Sequence, residues 1–165
     1  MREKATNAVL FQIGWFACVL GGNTAWLLVP LVILAVHWVW QGDGRLMAEA
    51  FALGLLLDSA LMWLNLFDFN PDGWLVPLWL ALLWPLLATT LRHCLAWTAR
   101  PWWLAAGLGA VAGPMSYYAG GRLAGVGFPH GTAVTVGVLA LIWAVVFVCL
   151  HRRAMALASH TEQPQ

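Results

Sequence analysis

Charge is what this sequence has least of. Asp, Glu, Lys and Arg together make up 9% of its 165 residues, against roughly a quarter in ordinary soluble domains. The formal net charge is +1, so neither a basic nor an acidic field points to nucleic acid or to a charged partner. The three cysteines, Cys18, Cys94 and Cys149, lie in three different apolar segments without CxxC spacing. They read as small buried hydrophobes, with no disulfide framework and no metal site implied. Also missing are a Ser/His/Asp set, an HExxH helix, a Walker loop and a dinucleotide fingerprint. No cofactor is expected.

What the sequence does have is apolar surface. Hydrophobic residues make up 62% of the chain, and there are 12 tryptophans. A soluble fold of this size leaves too much area exposed to hide that many apolar side chains. The solvent is expected to be hydrocarbon, and the fold an all-α integral membrane protein. Apolar runs separated by short polar breaks give six expected spans at 8–22, 24–41, 46–67, 74–97, 102–121 and 131–151. They form one transmembrane domain over 1–158, followed by a disordered polar tail at 159–165. "MREK" followed by "AVLFQIGWFACVL" has the look of a signal peptide, but no A-x-A pattern follows, so the segment reads as an uncleaved first span. "DFNPDG" reads as a turn built on Pro71 and Gly73.

Basic residues set the orientation. With both termini inside, the cytoplasmic set is Arg2, Lys4, Arg45, Arg92, Arg100, Arg152 and Arg153, and the outer set is Arg122 alone. Trp38, Trp40, Trp97, Trp102 and Trp103 then mark the inner interface, and Trp26, Trp63 and Trp74 the outer one. Trp79, Trp84 and Trp143 fall deeper and read as packing residues.

Inside this bundle Asp58 is the anomaly. It lies twelve residues beyond Leu46, about 18 Å into the bilayer at 1.5 Å per residue. A carboxylate at that depth has to be paired, protonated or facing a wet cavity. Gly54, Met62 and Asn65 share its helical face. Ser116 and Tyr117 reach a similar depth on the fifth helix, where Ala105, Gly109 and Gly113 form a small-residue stripe that Tyr117 continues. Two readings stand. In one, Asp58 is a structural polar group. In the other, Asp58, Asn65, Ser116, Tyr117 and Arg122 line a polar cavity that opens outward. Nearer the inner face, Glu49 is placed to pair with Arg92 across helices three and four, with Arg45 one turn away as a competitor. His93 has no second His, Cys or acid at helical spacing, so no ligand set is expected.

At "LFQIGWFACVLGG", "GLLLDS", "PLWLALLWPLLATTLRH" and "GRLAG" the chain resembles domain-of-unknown-function family 2878. The resemblance covers nearly the whole chain. It implies a small six-helix protein of the bacterial inner membrane without an assigned activity. Genes of the family lie near enzymes that modify fatty acids, so the resemblance further implies a link to membrane lipid modification or envelope stress.

Three functional readings follow. The first is a non-catalytic scaffold or accessory subunit, with membrane lipids and other inner-membrane proteins as its partners. The second is a binding or transport subunit around Asp58. The third is a lipid-acting enzyme that uses Glu49, Arg92 and His93, and it requires those three to converge.

Overall fold

Six α-helices form among the residues that the computed structural model describes, 2–69 and 73–161 with side chains to 159. They are α1 (Arg2–Gly21), α2 (Leu28–Gln41), α3 (Gly44–Trp63), α4 (Leu78–Leu91), α5 (Trp102–Ala124) and α6 (Thr132–Thr161). Short 3-10 turns at Ala25–Leu27 and Ala96–Ala99 precede α2 and α5. No strand forms among the described residues, where a lone bridge joins Asp68 to Gly127. Among the described residues two helices are long and apolar enough to cross a membrane, over Gly44–Trp63 and Thr132–Ser159.

The helix ends differ from the expected spans for local reasons. α1 starts at Arg2, with Glu3 in the first turn, where the helix dipole favours an acid. α3 stops at Trp63 because Asn65 turns left-handed at φ 62. The Asn65 and Leu66 amides then close back onto the Met62 and Leu61 carbonyls. α4 starts at Leu78 because Pro77 is extended, with ψ 143. It ends where the His93 and Leu95 amides both bond to the Thr90 carbonyl. α6 carries on through Ser159 to Thr161, across the start of the expected tail. Residues 162–165 and the Asn70–Asp72 part of the expected turn lie outside the described residues.

α4 is apolar on every side and packs between α1 and α3, so nearly all of it from Trp79 to Leu91 is buried. α5 and α6 form the most extensive helix pair. Their approach is close because a side chain at Gly109 would lie 2.4 Å from the Trp143 carbonyl oxygen. The outer surface is apolar as well: Val39 and Trp40 are each 81% exposed, and Leu141 is 76% exposed.

Candidate functional site

Asp58 is completely buried on α3. Trp84 on α4 donates its indole N–H to Oδ2 at 2.8 Å, and Tyr117 on α5 donates its hydroxyl to Oδ1 at 2.6 Å. Two glycines make room for the indoles around this pair. A Cβ on Gly54, one turn before Asp58, would sit 2.1 Å from Trp84 Cγ. A Cβ on Gly113, one turn before Tyr117, would sit 2.3 Å from Trp143 Cγ. Trp84 and Trp143 stack on each other at 5.0 Å, and Tyr117 stacks on Phe67 at 5.5 Å. One carboxylate therefore ties three helices together and fixes the planes of two aromatic rings.

Those rings form part of the wall of a cavity of about 600 Å³ lined mainly by α1, α4 and α5, with Trp143 and Phe147 of α6. Along α5 the lining runs from Leu108 to Gly121, a rise of about 20 Å. Phe11, Trp15, Phe67 and Phe128 are among the residues that make the cavity apolar and largely aromatic. Among the polar side chains on the wall, Ser116 and Thr98 have partners in the protein, while the exposed Gln12 amide on α1 has none among the described residues. Ser116 accepts from the Trp15 indole at 3.0 Å, and the Thr98 hydroxyl lies 2.7 Å from His151 Nε2. Phe16, Val111 and Met115 line the cavity while being exposed themselves, so it opens laterally.

Of the five residues expected around a polar cavity, the structure brings together Asp58 and Tyr117. Ser116 is on the cavity wall but pairs with Trp15. Asn65 lies beyond the end of α3 and Arg122 is exposed, so neither reaches Asp58. The space beside Asp58 is apolar, because Trp84 and Tyr117 occupy both carboxylate oxygens and themselves line the cavity.

The expected Glu49–Arg92 bridge does not form. Glu49 accepts two bonds from Arg153 on α6, each 2.6 Å, and one from Arg45 at 3.0 Å. Arg92 bonds to Asp43 instead. Asp43 sits between α2 and α3, where Gly42 turns left-handed at φ 71 and swings the carboxylate inward. His37 Nε2 lies 3.2 Å and His93 Nε2 3.4 Å from Asp43 Oδ2. Burial pushes the Asp43 carboxyl up, but the His37 hydrogen bond and the Arg92 guanidinium outweigh it and hold the group below its usual range. Glu49 and His93 therefore belong to two separate clusters. Their convergence, which a headgroup-directed active site requires, is not found.

Among the described residues, His37, Asp43 and His93 form a group that could hold a metal ion. The set is not legible at helical spacing around His93, because His37, Asp43 and His93 come from three segments. Asp43 was hidden in "QGDGR", which reads as a simple break between spans.

A model of the family described as protein of unknown function, DUF2878, matches residues 4–149. No curated protein and no solved structure matches the chain.

Proposed function

The chain belongs to the DUF2878 family of proteins of unknown function, and for it we propose a non-catalytic membrane component that holds one lipid-like molecule in its aromatic cavity. In this reading six helices span the bacterial inner membrane with both termini inside. The apolar outer surface, the two helices of membrane-crossing length and the seven-to-one split of basic residues support it. The observation that carries the proposal is the cavity itself, about 600 Å³ and open to the side. Its volume lies within the roughly 300–1,000 Å³ typical of small-molecule sites. A wall that is apolar apart from the paired Ser116 and Thr98 and the single Gln12 amide suits an acyl or isoprenoid chain better than a solute. Asp58 is a positioning residue here, holding Trp84 and Tyr117 as two panels of that wall.

The test is lipid analysis of the purified, detergent-washed protein beside Ala112→Trp, which fills the cavity from α5. We expect about one retained lipid of a restricted class per chain, and its loss in Ala112→Trp with the fold intact. Equal retention in both proteins would rule out the cavity as the binding place.

A further inference from the structure

We propose that His37, Asp43 and His93 form a binding site for a divalent transition-metal ion of the zinc class at the inner end of α2 and α4. None of the three lines the aromatic cavity, so the site is independent of the lipid reading.

The geometry is that of a ligand set. Two imidazole nitrogens converge on one carboxylate oxygen, 3.2 Å and 3.4 Å away, and the three candidate ligand atoms lie within 4.8 Å of one another. Ligand atoms bonded to a tetrahedral zinc ion at about 2.0–2.1 Å stand about 3.4 Å from each other. Both nitrogen–oxygen separations therefore match those around one such ion. His93 supplies a second observation. Its Nε2 is shielded from solvent and has no hydrogen-bond partner, a costly state for a ring nitrogen. An ion satisfies that nitrogen, His37 Nε2 and Asp43 Oδ2 together.

Arg92 does not compete for the same atom. It bonds to Oδ1 of Asp43 and leaves Oδ2 facing the histidines. It thus acts as the outer partner that orients a ligating carboxylate. Two imidazoles and one carboxylate favour zinc-like ions over calcium or magnesium, which prefer all-oxygen shells. Three protein ligands leave the fourth tetrahedral position for a non-protein ligand.

The test uses the full chain in detergent, with any affinity tag removed and bound metal stripped by chelation. Cobalt(II) is the probe, because tetrahedral coordination gives it an intense visible band. We expect one ion per chain, the tetrahedral band, displacement by zinc, and a zinc-dependent rise in thermal stability. His37→Gln and His93→Gln should each weaken binding by at least about tenfold, while His130→Gln, in an exposed loop, should bind as the parent does. Absence of the band in the unmodified protein would overturn the site without reference to any variant. Affinity unchanged from the parent in His37→Gln and His93→Gln would overturn it as well. In either case both histidines serve only as polar neighbours of Asp43.

Discussion

Asp58 shows how one side chain can be costly in itself and still hold a site together. Its two oxygens each receive a neutral donor, and both donors are rings of the cavity wall. Asp58→Ala strands the Trp84 N–H and the Tyr117 O–H, and each buried unsatisfied donor costs about 1–3 kcal/mol. Asp58→Asn keeps one acceptor and can strand only one of them. Thermal unfolding in detergent should therefore rank the parent above Asp58→Asn and Asp58→Ala lowest; equal stability of all three would remove the positioning role. Half of this arrangement was legible in the sequence. Depth along α3 and the stripe on α5 pointed Tyr117 at Asp58. Trp84 was not legible as a partner, because nothing in a linear pattern says which way an indole N–H faces. That orientation follows from the space left at Gly54, one turn before Asp58.

At the scale of elements, the small-residue stripe on α5 was readable because it depends on spacing alone. Its partner, α6, needed the structure. Gly109 meets a backbone oxygen of α6, which cannot move aside, whereas a side chain at Gly107 would meet nothing within 4 Å. The same substitution at the two positions should have opposite effects. Gly109→Ala should cost about 1–3 kcal/mol through overpacking. Gly107→Ala should be neutral or stabilise by up to about 1 kcal/mol through helix propensity. Paired melting curves check this, and a loss of equal size at both positions would show that α5 and α6 are not held at this distance. Helix boundaries were less legible than helix existence. The end of α3 depends on the left-handed turn at Asn65, and the start of α4 on the extended Pro77. The ion pairs were the least legible. Depth matched Glu49 to Arg92, but the inward swing at Gly42 gives Arg92 to Asp43 and leaves Glu49 to Arg153.

For the whole molecule, composition and the distribution of basic residues supported the expected membrane character and orientation before any coordinates. The cavity was not foreseeable. It arises where α5 stands off from α1 and α4, leaving aromatic rings from seven segments around a common space. Hydrophobic and aromatic residues on such a wall look, in sequence, the same as residues facing lipid or core. What separates a binding cavity from an ordinary lipid-facing groove is selectivity, and that can be measured in place. A photoreactive phenylalanine analogue at Ala112, inside the cavity, and another at Leu141, on the exposed face of α6, would be cross-linked in native membranes and the adducts identified by mass. The cavity reading predicts one lipid class strongly enriched at 112 and the bulk membrane mixture at 141. The same mixture at both positions would contradict it.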